Sequence, residues 1–209
     1  MNNFQTTLAQ VLAERAGQAE PAPVGVPGHE VQFYRSEATL IKSVVDFLAR
    51  AVRVGQPIIV IATEAHRHAF ADGLREKGLD PDEVFAGRLA VWLDARETLN
   101  AFMDGALPSR DLFMATVGSV FERILQKRHY LVVRAFGEMV DLLWKDGNTE
   151  GAVLLEQYWN ELALMYKHSL LCGYSIDNFM TEAGSAGFRR VCDHHTSARM
   201  IDLPQQNVA

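Results

Sequence analysis

An α/β fold, with a mainly parallel sheet layered between helices on both faces, follows from three observations on the sequence. Short β-type runs alternate with helical ones along the chain. One of these runs, PIIVIA, has five uninterrupted apolar residues after its proline, the pattern of a strand buried on both faces. The chain is 209 residues long, 48% apolar and 22% charged, enough to bury a full core in one domain without a disulfide or metal.

Taken in order, residues 1–28 read as a flexible segment: a short amphipathic stretch, Thr7 to Ala16, then the linker AEPAPVGVPG. The folded domain begins near His29 and is assigned to 29–180, with a helical extension and tail over 181–209. HEVQFY is a strand of β-branched and aromatic residues between Gly28 and Ser36-Glu37. Leu40, Ile41, Val44, Val45, Leu48, Ala51 and Val52 recur at helical spacing, and Gly55 closes that helix. After PIIVIA, Thr63 is placed to cap a helix from Glu64 to Lys77, which Gly78 ends. Asp80-Pro81-Asp82-Glu83 has the capping residue, first-turn proline and following acid of a short helix. RLAVWLDA is a third strand, followed by helices from Arg96 to Asp104 and from Ser109 to Lys127. HYLVVRAF is a fourth strand, and Gly147-Asn148 separates helices Glu138 to Lys145 and Thr149 to Lys167. SLLCGYS is a fifth strand, whose direction stays open. A Gly/Ser break at Gly184 to Gly187 precedes a helix around Phe188 to His194.

The formal charge of −6 arises from interspersed charges of both signs, with no basic face for a nucleic acid. No apolar run reaches the roughly 20 residues a membrane crossing needs, and MNNFQTTLAQ is no secretory signal. A cytoplasmic protein is expected, and Cys172 and Cys192 fit a reducing compartment as buried thiols.

In a parallel sheet, ligands meet the loops beyond the carboxyl ends of the strands. Those loops offer Tyr34, Arg35, Ser36, Thr63, Asp94, Arg134, Glu138 and Tyr174, with Arg134 and Glu138 as a candidate pair for a polar ligand group. A phosphate cradle is missing: the loop RSEATL has no glycine, and Lys42 lies well inside the following helix. Ala183-Gly184-Ser185-Ala186-Gly187 approximates a nucleophile elbow but lacks the strand that must enter it, so it reads as a loop. Cys192 with His194 and His195, and His66 with His68, fall short of a zinc ligand set, so no metal is assigned. Tyr158, Trp159 and Tyr166 fit one buried helix face.

HEVQFY, VIATEAHRHAFADGLREKGLD, RAFGEMVDLLWKDGN, LEQYWNEL, SLLCGYS and, more weakly, FRRVCDHHT run in order from His29 to about Thr196. Together they resemble the MEDS family, the sensory domain named for methanogens, methylotrophs and a dichloromethane-responsive regulator. The resemblance implies a fold similar to RecA/KaiC-like ATPases with the phosphate loop lost, and a non-enzymatic sensor of small hydrocarbon derivatives in prokaryotic signal transduction. It singles out His29, Tyr34, Glu138, Trp159, Asn160, Cys172 and Tyr174. It also implies a signalling partner, such as a histidine kinase or a transcriptional regulator, while the chain itself carries neither module; a homodimer is the simplest assembly. The cofactor stays unassigned. Two other classes stay open: a degenerate nucleotide-binding ATPase-like protein, and a thiol- or metal-based redox sensor dependent on Cys172.

Overall fold

The computed structural model describes residues 23–201 except 88, 129 and 181, and omits the side chains of 182–186. Strand β1 (Gly28–Tyr34) leads into α1 (Glu37–Arg53), whose apolar stripe buries Leu40, Val44, Val45, Leu48 and Ala51 and half-buries Ile41 and Val52. Strand β2 (Ile58–Ala62) has five buried residues in succession, as a central parallel strand requires. Helix α2 (Glu64–Glu76) follows, and Gly78 takes the left-handed backbone (φ 73°) that ends it. Asp80 caps α3 (Pro81–Ala86) by accepting the Asp82 N–H, as its sequence predicts. Strand β3 (Ala90–Asp94) and α4 (Ala95–Asn100) come next, then a hairpin of β4 (Met103–Asp104) and β5 (Leu107–Pro108) turning at Gly105. Helix α5 (Arg110–Phe113) runs through a π-helical turn, Met114–Gly118, into α6 (Ser119–Leu125). Beyond these lie β6 (Val133–Gly137), α7 (Met139–Lys145), α8 (Thr149–Met165), β7 (His168–Ser175), α9 (Glu182–Asp193) and β8 (Ser197–Met200).

Six strands form one sheet in the order β3-β2-β6-β7-β1-β8, and every pairing is parallel. The strand SLLCGYS is therefore parallel to its neighbours. One face packs on α1 and α2 through Leu40, Val44, Phe47, Leu48, Phe70 and Leu74 against Ile58, Val60 and Leu171. The other packs on the helices after β3, through Leu99, Phe113, Phe121, Leu143, Trp159 and Val191 against Ile59, Ile61, Ala135 and Leu170. The three-layer α/β architecture is thus present.

Four local expectations are corrected. The helix expected to reach Asp104 stops at Asn100, because Met103–Asp104 pairs with Leu107–Pro108. The long helix after Ser109 contains a π turn rather than running as a uniform α-helix. The segment after Asp193 is not a plain tail: Ser197–Met200 adds an edge strand beside β1. The Gly/Ser break lies inside α9, so Ala183 to Gly187 is helical rather than a loop. The expected helix from Thr7 to Ala16 lies outside the described residues.

Gly187 shows why small residues occur in that helix. A Cβ there would sit 2.2 Å from Cη2 of Trp144, a rigid, buried ring anchored by its Nε1–H to the Asn178 carbonyl (3.2 Å). Gly187→Ala is expected to destabilise the domain by about 1–2 kcal/mol, overpacking outweighing the helical gain of roughly 1 kcal/mol. A urea midpoint equal to or above wild type would show that α9 does not dock on Trp144.

Candidate functional site

Connections leaving β1 and β2 cross one face of the sheet, and those leaving β6 and β7 cross the other. The sheet therefore changes side between β2 and β6 and between β7 and β1, positions whose carboxyl ends are where crevices form in sheets of this kind.

At the first crevice, Glu138 follows β6 directly. Its carboxylate accepts the Thr63 N–H at the start of α2 and bonds His66 Nδ1. His66 Nε2 reaches Glu37 Oε2, 2.6 Å away, on the first residue of α1. Two carboxylates on the two ring nitrogens make both nitrogens donors, so His66 is an imidazolium. Burial alone would push His66 down, but the Glu138 hydrogen bond and charge, joined by Glu37, raise it to about 9. At the second crevice Asp141, buried on α7, accepts from Ser175 N–H (2.9 Å), Asn178 Nδ2 (2.6 Å) and the Tyr34 hydroxyl (3.4 Å), and pairs with Lys145 Nζ (2.8 Å). Burial pushes the Asp141 carboxyl up against the opposing pull of Lys145. Burial and the Asp141 charge also push the Tyr34 phenol up, so it remains a neutral donor.

The structure brings together Tyr34, Thr63 and Glu138 from the expected set and adds Glu37, His66 and Asp141. Thr63 takes part through its backbone; its side chain makes no capping bond. Arg35 and Ser36 are exposed in the loop between β1 and α1. Arg134 is not part of this site. It pairs in register with Ile58 and Ser169 near the amino end of β6, with its guanidinium 3.9 Å from the Phe47 ring centroid. Four residues of extended chain place it roughly 13 Å back from Glu138, which removes the expected Arg134–Glu138 pair. Burial pushes Arg134 down to about 10. His68 is exposed and apart from His66's two carboxylates.

Tyr174 points to the other face, where its hydroxyl donates to Glu156 Oε1 (2.8 Å). A second constellation lies there: His29, Glu156, Cys172 and His195, all buried, offer ligand atoms within 4.8 Å of one another. His29 Nε2 stands 3.1 Å from Glu156 Oε2 and 3.4 Å from Cys172 Sγ; His195 Nε2 stands 3.4 Å from Glu156 Oε2. Asn160 Oδ1 meets His29 Nδ1 (3.0 Å), and its amide nitrogen donates to the His194 carbonyl (2.9 Å). Burial would raise the Glu156 carboxyl, yet His195, His29 and the Tyr174 hydroxyl hold it down, to about 2. Burial and Glu156 push the Cys172 thiol well up. Trp159 is core, edge-on to Phe113.

Sequence reasoning missed Glu156, Asp141 and the role of His66. The signal for Glu156 was present: an acid flanked on one helix by Leu155, Trp159 and Leu162 sits on an apolar face and needs a buried partner.

The domain is an all-parallel α/β fold with hydrogen-bonded polar groups gathered where β1, β2 and β6 end. Residues 28–196 match the sequence profile of MEDS, the methanogen/methylotroph, DcmR sensory domain, and the chain belongs to that family. It is therefore a sensory domain. No curated protein gives a match to this chain. Among the described residues, no helix is long and apolar enough to cross a membrane.

The His66 ion pairs give stability a definite pH dependence. Because His66 titrates at about 9 when folded and near 6.5 when unfolded, its contribution is complete below pH 6.5 and is lost as pH rises through 9. A loss on the order of 2 kcal/mol is expected across that window, discounted for the exposure of Glu37. Urea unfolding of wild type and His66→Gln should differ at pH 6 and converge at pH 10; a constant difference would remove His66 as the titrating group.

Proposed function

We propose that this sensory domain takes a small neutral molecule at the carboxyl edge of the sheet, beside Tyr34, Glu138 and Asp141, and signals by protein contact. The observation that carries the reading is the chain Glu37–His66–Glu138. It ties the starts of α1, α2 and α7 together with a few hydrogen bonds at the switch point. A ligand that competes for any one of these groups has differential contact with two arrangements of three helices, which is what a sensor requires. Helix α7 begins at this site and ends at Lys145; the next residue, Asp146, pairs with Arg96 (2.5 Å) beside an open cleft of about 550 Å³ that also includes Leu143, Gly147 and Asn148. The pair α7 and α8 is the output element of this reading, passing the signal to a cytoplasmic partner protein or to a second copy of the chain.

Nucleotide turnover is not part of this reading. Lys42 is exposed and pairs with Asp46 (3.3 Å) one turn along α1. The purified protein is expected to hydrolyse ATP no faster than buffer; turnover abolished by Glu138→Gln would establish an ATPase instead.

Methanol and dichloromethane are suitable probes of the ligand site in amide-resolved NMR titrations. Saturable shifts are expected at Tyr34 to Glu37, Thr63 to His66 and Glu138 to Asp141, extending along α7 into α8. Saturable shifts confined to other parts of the sheet would move the site elsewhere.

A further inference from the structure

On the opposite face of the sheet, four buried side chains with metal-ligating atoms converge. Asn160 donates its amide nitrogen to the His194 carbonyl, so its oxygen faces His29 Nδ1 and must accept from it. His195 Nδ1 lies 2.7 Å from the Val191 carbonyl, which can only accept. Both imidazoles thus use Nδ1–H outward and turn Nε2 inward, the arrangement in which outer-shell acceptors orient metal-binding histidines. Inward they meet the one Glu156 oxygen not taken by the Tyr174 hydroxyl, and the Cys172 sulfur. Lone pairs converging on a carboxylate repel unless something positive lies among them.

The separations specify what fits. Zinc bonds of about 2.0–2.3 Å to N, O and S imply tetrahedral edges of ~3.3–3.6 Å. Four of the six edges are 3.1 Å for His29–Glu156, 3.4 Å for His195–Glu156, 3.4 Å for His29–Cys172 and 3.6 Å for Cys172–Glu156, and the remaining two lie within 4.8 Å. We propose that His29, Glu156, Cys172 and His195 form a tetrahedral site for a divalent transition-metal ion of the zinc type. With four protein ligands and no exposed position, the site is closed, which suits a structural ion rather than a hydrolytic one. Its ligands come from β1, α8, β7 and the segment between α9 and β8, so the ion fastens the carboxyl-terminal elements to the sheet. This proposal is independent of the ligand site at the carboxyl edge.

The test uses the full chain, stripped with chelator under reducing conditions and titrated with Co²⁺. Saturable visible absorption of tetrahedral cobalt, a thiolate-to-cobalt charge-transfer band, displacement by Zn²⁺ and a raised Tm are expected. The charge-transfer band should vanish in Cys172→Ser and persist in Cys192→Ser, and Asn160→Ala should weaken affinity about 10–100-fold. A folded wild-type protein that shows no such absorption overturns the proposal and leaves protons as the cations that hold the cluster. A band that survives in Cys172→Ser and disappears in Cys192→Ser also overturns it. Should Cys172→Ser fail to fold, the wild-type and Cys192→Ser titrations decide the question.

Discussion

The carboxylate of Glu156, fully buried on α8, is the constraint on which the assembly of this domain depends. An ionised group in that position costs several kcal/mol unless its charge is met by partners in good geometry. Those partners are supplied by segments far apart in sequence: His29 on β1, Cys172 and Tyr174 on β7, and His195 beyond α9. Helix α8 therefore cannot dock independently of the sheet. The register must place Val31 opposite Cys172 and His29 opposite Leu170, since a slip of one residue would turn His29 or Cys172 to the face covered by α1. The carboxyl-terminal elements are held in the same way. Thr196 exchanges hydrogen bonds with the His29 backbone, through its own N–H (2.6 Å) and its hydroxyl (2.8 Å), beside His195. Edge strand β8 follows from that anchorage.

The end of β7 joins this buried cluster to the carboxyl edge. Successive strand residues face opposite ways, and here the last two serve both centres: the Tyr174 hydroxyl reaches Glu156, while the Ser175 N–H reaches Asp141. Asp141 also receives Tyr34 from β1, and Lys145 one turn along α7. A shift of β7 along its axis would disturb both networks together. The two centres are distinct in chemistry, one rich in nitrogen and sulfur donors and sealed, the other acidic and bordered by exposed loops, but they share one strand.

Much of this was legible in the sequence, for reasons that are local. PIIVIA announced a central parallel strand, and Asp80-Pro81 announced the start of α3. His29, Asn160, Cys172 and Tyr174, picked out by family resemblance, do meet in space. What the sequence could not show is set by long-range geometry. Arg134 and Glu138 look like a pair four residues apart, yet an extended strand carries them to opposite ends of the sheet. Gly184 to Gly187 looks like a break, because propensity cannot register that Trp144 leaves no space for a side chain at Gly187. Glu156 and His66 find their partners far along the chain; their roles appear only when β1 and β7 are placed beside Glu156, and the starts of α1 and α7 beside His66.

On the reading proposed above, the carboxyl edge offers a physical reason for a parallel sheet of this kind to favour a neutral ligand over a nucleotide. The amino terminus of a helix after a strand is where a phosphate would rest, on unsatisfied N–H groups and the positive end of the helix dipole. At α2 that place is taken by the protein's own anion, for the Glu138 carboxylate receives the Thr63 N–H and is neutralised by His66. Glu37 at the start of α1 and Asp141 on α7 add further negative charge near the same crevices. An incoming phosphate would have to expel a carboxylate already bonded to two partners. The small uncharged molecule proposed above would meet no such barrier, and it would gain from the neutral Tyr34 hydroxyl and from any hydrogen bond it shared with the His66 chain.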